Sequence, residues 1–279
     1  MLVNLQYVLD LAEKGNFAIP AFNVYNLETV MGVIDAAEEM RAPVILQVYP
    51  RLLNEEVGYY LAPAVVAAAR KATVPVCFHL DHGPSELEVT KALRWGATGI
   101  MYDGSVHPFE ENIANTKHIV EICSAIGVPV EGELGHIGSV NDDAMEEYTD
   151  PAEAAEFVKR TGVACLAVLI GNAHGHYKKT PKLDIDRVKA IRKSTGGIPL
   201  VLHGGSGIPE EQVKAAVKAG VRKMNIGTEV CCAFAEGTKE TLDDPNRSLA
   251  IDLFMKHPIK TVKKLAIEKI KLVDADGKA

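Results

Sequence analysis

The sequence lacks the features of secreted, membrane-spanning and disulfide-stabilised proteins. It has only five cysteines in 279 residues, an odd number without a C-x-x-C pair, which indicates reduced thiols rather than a disulfide framework. No apolar run approaches the ~18 residues that a membrane-spanning helix needs. The first residues, MLVNL, lack the basic and apolar regions of a signal peptide. We therefore expect a cytoplasmic protein.

The chain also lacks an excess of positive charge. It has 30 Lys and Arg against 37 Asp and Glu, which gives a formal net charge of −7. This balance argues against a nucleic acid or an anionic membrane as a partner. The composition, 47% hydrophobic and 24% charged, is typical of a globular protein that can bury a full core.

Short apolar runs recur along the chain at intervals of about 30 residues, the length of one βα unit. The runs are continuous rather than alternating, as expected of parallel strands that are covered on both faces. Helix-capping signals lie between them, for example Ser85 with Glu88 and Asp150 before Pro151. Eight units favour a (β/α)8 TIM barrel over a doubly wound sheet, as one domain over residues 1–279 with a C-terminal helical extension. The predicted strands are 18–22, 44–48, 74–80, 99–102, 128–134, 165–170, 200–203 and 221–226.

Three histidines occupy the same place in three separate units. His82, His174 and His203 each follow a predicted strand and precede a glycine. Because strand ends converge on one rim of a barrel, we expect these rings to lie close together. Three neutral imidazoles are a ligand set that zinc favours. No local metal-binding motif is present, so from position alone a metal site and a set of ordinary loop histidines both remain open.

Acidic residues accompany these histidines. Asp81 stands between two histidines and is a candidate to orient a ligand or to act as general acid/base. Glu131 and Glu133 flank Gly132 at a strand end, and we expect one of the two to face inward. His79 lies within the apolar strand, and we expect its ring to face the core and bond to a backbone group.

Two glycine-rich turns are candidates for a phosphate site. The segment HGGSG at 203–207 ends a strand and leads into a helix start, and NIGT at 225–228 does the same one unit later. N–H groups at helix starts bind phosphate, and glycine lets the anion approach. The loops after the last two strands of a barrel are the usual phosphate position, although any α/β protein contains turns of this kind.

Seven separated motifs resemble the class II, zinc-dependent ketose-bisphosphate aldolases, a family that includes fructose- and tagatose-bisphosphate aldolases. They are HLDHG, HPFEEN, VEGELGHIG, YTDPAEAAEFV, IGNAHG, LHGGSG and NIGTE, and the match extends from AFNVYN at residue 21 to about residue 229. The resemblance implies a (β/α)8 barrel that reversibly cleaves a ketose phosphate or bisphosphate to dihydroxyacetone phosphate and an aldehyde. It also implies a homodimer or homotetramer.

The same resemblance implies roles for individual residues. His82, His174 and His203 would be the zinc ligands, Glu133 an alternative zinc ligand, and Asp81 the acid/base that serves the C4 hydroxyl. A monovalent cation, Na+ or K+, commonly binds in the family's dihydroxyacetone-phosphate pocket. The residues implied for substrate binding are Asn23, Gly175, Gly204, Gly205, Ser206, Asn225, Ile226, Gly227 and Thr228.

The chain departs from the family pattern at several positions near the substrate. Asn141 stands where the family has a glutamate that moves the carbon-bound proton, and Asp142 is the best catalytic substitute. Gly227 replaces an aspartate that is usual in fructose-bisphosphate enzymes. Tyr49 takes the place of a serine that often lies near the substrate.

These departures leave the aldehyde half of the substrate open. Arg51 and Arg247 are candidates to bind a second phosphate. One alternative is therefore an aldolase for a sugar or sugar-acid 1-phosphate that lacks a second phosphate. Two further alternatives are a metal-dependent hydrolase on the same barrel and a non-catalytic companion subunit of an aldolase.

Overall fold

A closed barrel of eight parallel strands forms the centre of the molecule in the computed structural model, which describes residues 1–137, 148–173, 175 and 180–279. Each barrel strand pairs with the next one in sequence, and the last pairs with the first through Ala21 opposite Asn225. The predicted (β/α)8 barrel is therefore confirmed. The barrel strands are β2 (Ile19–Asn23), β3 (Val44–Val48), β4 (Val76–Gly83), β5 (Gly99–Tyr102), β6 (Val130–Leu134), β7 (Cys165–Val168), β8 (Leu200–Leu202) and β9 (Val221–Ile226).

Helices alternate with the barrel strands and cover them from outside. Apolar side chains from both layers form one buried core that extends from Leu5 to Ala275. A single domain over residues 1–279 stays a prediction, and this continuous core supports it. The helices are α1 (Leu5–Gly15), α2 (Leu27–Met40), α3 (Pro50–Asn54), α4 (Glu56–Lys71), α5 (Glu86–Arg94), α6 (Phe109–Ser124), α7 (Pro151–Thr161), α8 (Ile185–Ser194), α9 (Glu210–Ala219), α10 (Thr228–Asp243), α11 (Ile251–Phe254) and α12 (Lys256–Leu272).

The capping residues named from the sequence start the expected helices. The Ser85 hydroxyl accepts a hydrogen bond from the backbone N–H of Leu87 at the start of α5. The Asp150 carboxylate accepts from the N–H groups of the first turn of α7, and Gly162 ends that helix in the left-handed conformation. None of the helices in the described ranges has the length and apolar character needed to cross a membrane.

The N-terminal segment packs against the barrel, and the sequence analysis did not predict its first residues as a strand. β1 (Leu2–Val3) pairs in parallel with the start of β4. The helix α1 that follows packs against barrel strands β2, β4 and β9 through the buried side chains of Leu5, Val8, Leu9 and Ala12.

The C-terminal helix α12 packs between α2 and α10. Two glycines permit this close approach: a Cβ atom on Gly32 would lie 2.8 Å from Val262, and one on Gly237 would lie 2.9 Å from Pro258. Helix α12 therefore lies against the helices that follow the first and last barrel strands, and its interpretation as an extension of a single domain stays a prediction.

Candidate active site

The carboxyl end of β4 brings two consecutive polar side chains to the same point. In a regular strand, neighbouring side chains point to opposite faces. Here His82 has a φ of 52°, and the pairing of β4 with β5 shifts between Leu80 and Gly83. This irregularity lets Asp81 and His82 face the same site, since the Oδ1 of Asp81 and the Nε2 of His82 are 4.0 Å apart. A positive φ at a residue other than glycine is uncommon, and such residues often mark functional sites.

His82 and His203 converge, as predicted, from β4 and from the end of β8. The Nε2 of His82 lies 3.0 Å from the Nδ1 of His203. The opposite nitrogen of each ring contacts a carboxylate: Nδ1 of His82 lies 2.7 Å from Asp103, and Nε2 of His203 lies 2.9 Å from Glu131. When those nitrogens carry the protons, the two facing nitrogens direct lone pairs at one point. This is the arrangement by which carboxylates orient metal-binding histidines.

Glu133 adds a carboxylate oxygen to the same point. Its Oε2 lies 3.9 Å from Nδ1 of His203 and, in the described part of the chain, is buried without a hydrogen-bond partner. Burial, together with the nearby Asp103 carboxylate, raises the pKa of Glu133 to about 8. Burial alone would lower the pKa of His82, but Asp81, Asp103 and Glu133 outweigh it and raise that pKa to about 10. The site is therefore rich in negative potential and suited to a cation.

The expectation that only one of Glu131 and Glu133 faces inward is wrong. Residues two apart in a strand share a face, and both carboxylates are buried inside the barrel. Below the histidines, Glu131 forms a buried ion pair with Lys223, with Nζ and Oε2 2.8 Å apart. His79 also faces this interior, 3.4 Å from Glu131. Its ring is fully buried, as expected, and the expected bond to a backbone group stays a prediction.

Asp81 is held by three side-chain amides. Asn23 donates to its Oδ2 at 2.7 Å, Gln47 to the same oxygen at 3.2 Å, and Asn225 to its Oδ1 at 3.1 Å. Lys223 donates to the amide oxygen of Asn225 at 2.7 Å, which turns the amide nitrogen of Asn225 toward Asp81. The carboxylate is thus fixed in orientation beside the two histidines, as a general acid/base requires.

The predicted glycine-rich turns form a small cavity of about 60 Å3 next to Asp81. Gly204 adopts a φ of 61°, and a Cβ on Gly227 would lie 3.0 Å from the amide oxygen of Asn23. Helix α10 begins at the cavity wall with Thr228, directly after Gly227. Helix N-termini favour anions. The lining residues are Asn23, Tyr49, Gly175, Gly204, Ser206, Asn225, Gly227 and Thr228.

Seven of the nine residues expected to bind substrate line this cavity, and two do not. Gly205 accommodates the close approach of its turn to β9, since a Cβ there would lie 2.8 Å from the Asn225 carbonyl oxygen. Ile226 is buried in the core. Two further predicted site residues, His174 and Asp142, lie outside the described residues, and their roles stay predictions.

A larger cavity of about 520 Å3 adjoins the small one. Tyr49 and Thr228 line both. Of the two arginines considered for a second phosphate, Arg51 lines the larger cavity. Arg247 instead donates to the carbonyl oxygen of Asp244 after α10.

The sequence analysis missed Asp103, Gln47 and Lys223 as site residues. A signal was available for Asp103, because it directly follows strand β5 and so occupies the same place in its unit as His203 does in its own. Gln47 and Lys223 lie within apolar strands that were interpreted only as core. A lysine in such a strand requires a buried partner, and here that partner is Glu131.

Comparison with known sequences gives matches along the whole chain. The family model described as fructose-bisphosphate aldolase class-II matches residues 3–278. The chain is 44% identical to the uncharacterized protein YdjI of Escherichia coli strain K12 over an alignment of 285 residues that covers 100% of both proteins. It is also 44% identical to the fructose-bisphosphate aldolase of Geobacillus stearothermophilus over 252 residues, 88% of each chain.

Comparison with solved structures gives the same fold. The crystal structure of the YdjI aldolase from Escherichia coli K12 superposes with a TM-score of 0.90 at 42% identity, covering 100% of both chains. A putative fructose-1,6-bisphosphate aldolase from Coccidioides immitis superposes with a TM-score of 0.89 at 30% identity, covering 99% of this chain and 97% of that one.

Proposed function

Because the chain belongs to the class II fructose-bisphosphate aldolase family, we propose that it is a zinc-dependent lyase that reversibly cleaves a ketose 1-phosphate. The products are dihydroxyacetone phosphate and an aldehyde. The observation that carries the proposal is the convergence of His82 and His203, 3.0 Å apart at their facing nitrogens, beside Asp81 and a glycine-lined cavity.

The ligand atoms fit a zinc ion. Metal–nitrogen bonds of about 2.0–2.1 Å in a tetrahedron place two ligand nitrogens roughly 3.3 Å apart, close to the distance between His82 and His203. The unpartnered buried oxygen of Glu133 supplies a further donor, and His174 remains the proposed third histidine ligand. When bound, the ion supplies the positive charge that stabilises the enediolate left by breaking the C3–C4 bond.

Asp81 is the proposed acid/base for the C4 hydroxyl. Its two oxygens are held by the amides of Asn23, Gln47 and Asn225, so the carboxylate needs little reorientation to accept the proton as the aldehyde departs. In the synthetic direction, the same group returns that proton. We propose that Asp142 is the acid/base that transfers the proton on C3.

The small cavity is the proposed site of the C1 phosphate. Gly204 and Gly227 leave room for an anion, and the N-terminus of α10 with its 16 residues begins there. Binding energy from the phosphate orients the reacting carbons at Asp81 and the metal. A monovalent cation, Na+ or K+, is proposed to bind in the same pocket.

Three further properties complete the proposal: the substrate class, the assembly and the compartment. A sugar phosphate is the small-molecule partner, the assembly is a homodimer or homotetramer, and the compartment is the cytoplasm. Membership of the aldolase family supports the first two, and the five free cysteines support a reducing compartment.

A condensation assay tests the proposed reaction. Zinc-loaded protein is mixed with dihydroxyacetone phosphate and each member of a panel of neutral, phosphorylated and carboxylate-bearing aldehydes. We expect a new C–C bond with at least one aldehyde.

The His203→Ala variant tests the ligand assignment. Because one imidazole ligand is removed, we expect this variant to lose its bound zinc and its kcat/KM to fall at least 100-fold.

The same assay includes a matched control variant and distinguishes the rival functions. His118 is an exposed histidine on α6, paired with Glu86, and His118→Ala should retain both zinc and activity. Hydrolysis of a phosphate ester without aldehyde release would favour the hydrolase. Zinc-loaded protein that condenses no aldehyde would contradict the proposed reaction and favour the companion subunit.

A further inference from the structure

The proposed cleavage assigns no role to Tyr49, which lines both the small and the larger cavity. Tyr49 directly precedes α3, and its carbonyl oxygen accepts hydrogen bonds from the N–H groups of Leu52 and Leu53. Its ring lies nearly parallel to that of His82, with centroids 6.4 Å apart and an interplanar angle of 17°. The ring of Tyr25 lies 6.5 Å away at an angle of 43°. Backbone hydrogen bonds and two neighbouring rings therefore restrict the position of Tyr49.

The hydroxyl of Tyr49 lies next to the proposed acid/base. It contacts the Asp81 carboxylate, which adjoins the small cavity. A Cβ atom on Gly227 would lie 3.2 Å from this hydroxyl and 3.4 Å from that of Tyr25. The missing side chain at position 227 therefore leaves room for the Tyr49 hydroxyl at the cavity wall.

The Asp81 carboxylate has an acceptor position left for substrate. An ionised carboxylate accepts roughly four hydrogen bonds, and the amides of Asn23, Gln47 and Asn225 supply three. The C4 hydroxyl needs the remaining position, since it gives its proton to Asp81. The amide oxygens of Asn23 and Asn225 accept further hydrogen bonds, which fix the orientation of both groups. By contrast, rotation about one C–O bond redirects the Tyr49 hydroxyl, so it can donate to an oxygen bound beside Asp81.

From these contacts we propose that Tyr49 is a catalytic residue of the aldol step, whose hydroxyl donates a hydrogen bond to the oxygen on C4. The inference rests on the proposed function and deepens it, because it adds a second group that acts on the atom that Asp81 deprotonates. A phenol has a pKa of about 10 in water, and burial raises the pKa of Tyr49 further. The hydroxyl therefore stays protonated at neutral pH and acts as a donor.

The hydrogen bond from Tyr49 acts where charge develops during the reaction. In the cleavage direction, the C4 hydroxyl gives its proton to Asp81 and its oxygen becomes the aldehyde carbonyl. The C3–C4 bond breaks, and its electron pair stays on the dihydroxyacetone-phosphate half. Tyr49 keeps its own proton, and its hydrogen bond stabilises the negative charge that develops on the C4 oxygen. In the condensation direction, the same hydrogen bond polarises the aldehyde carbonyl and favours attack at C4.

Two reactions of the zinc-loaded protein separate the carbon–carbon bond step from the activation of dihydroxyacetone phosphate. Exchange of its C3 proton with deuterium from the solvent needs no aldehyde and therefore no oxygen on C4, whereas condensation needs both. In Tyr49→Phe we expect exchange at the wild-type rate, while kcat for condensation falls about 10- to 100-fold. Loss of the C3 proton signal in NMR spectra measures exchange, and product formation measures condensation. Bound zinc should remain stoichiometric.

Two further variants check the assignment. Tyr25→Phe is the matched control, because it removes the same hydroxyl from the neighbouring ring. That hydroxyl contacts the Cys231 thiol, so both rates should stay at the wild-type level. Asp81→Asn should retain exchange and lose condensation, as Tyr49→Phe does, because both side chains act at the C4 oxygen.

The outcomes separate this inference from the proposed function. A wild-type protein that condenses no aldehyde overturns the proposed function and this inference with it. Condensation by Tyr49→Phe with an unchanged kcat overturns the inference alone. Equal losses of exchange and condensation in that variant also overturn the inference, because they would assign Tyr49 to the metal site or to the dihydroxyacetone-phosphate half.

Discussion

At the scale of single residues, the proposed metal site depends on the carboxylates that contact the second ring nitrogen of each histidine ligand. His82 and His203 present one nitrogen to the proposed metal and have the other beside Asp103 and Glu131. Each carboxylate fixes the tautomer and the ring orientation, and raises the basicity of the ligand nitrogen. The sequence analysis identified both histidines by their positions after strands. It did not assign them their carboxylate partners, because that requires knowledge of which strand ends are neighbours.

The Asp103→Asn variant tests this role. The amide keeps the size of the side chain but removes the negative charge beside His82, so zinc affinity should fall roughly 10- to 100-fold while activity returns at saturating zinc. Competition with a chelating dye measures the affinity. Asp150→Asn is a matched control, because asparagine caps a helix about as well as aspartate. Zinc affinity equal to that of the wild type in Asp103→Asn would remove Asp103 from the site.

At the scale of elements, the apolar runs predicted the eight barrel strands closely. The runs at 44–48, 99–102 and 221–226 match β3, β5 and β9 without a shift. The largest difference is β4, predicted at 74–80 and observed at Val76–Gly83, because polar Asp81 and His82 continue the strand into the site. The sequence analysis did not predict β1, because a strand of two residues is too short to show a hydrophobic periodicity.

The packing of α12 depends on the absence of a side chain at Gly32 in α2. A Cβ atom there would lie 2.9 Å from the backbone oxygen of Ile259 and 2.8 Å from Val262. We expect Gly32→Ala to destabilise the protein by about 1–3 kcal/mol from overpacking, reduced by the helix propensity of alanine, about 1 kcal/mol. Urea denaturation measures the change.

A double mutant provides the control for this packing effect. Val262→Ala removes part of the clash, so Gly32→Ala combined with Val262→Ala should be less destabilised than the sum of the single variants. Strict additivity, or a stabilising effect of Gly32→Ala alone, would show that α12 moves freely away from α2.

At the scale of the whole molecule, the barrel assembles a site from residues far apart in sequence. Asn23, Asp81, Glu133, His203 and Asn225 come from five different strands or strand ends and meet at one rim. Positions at strand ends indicated Asp81, Glu133 and His203 as site residues, whereas Asn23 and Asn225 were assigned through the resemblance to the aldolase family. The shared orientation of Asp81 and His82 was not predictable, because it depends on a positive φ at His82 within an otherwise regular strand.

The central claim is that His82 and His203 bind one divalent ion beside Asp81. Diffraction from crystals grown with zinc, recorded on both sides of the zinc absorption edge, locates the ion directly. The account predicts an anomalous peak about 2.0–2.1 Å from both the Nε2 of His82 and the Nδ1 of His203. A stoichiometric zinc peak elsewhere, with none within bonding distance of these two nitrogens, would contradict it.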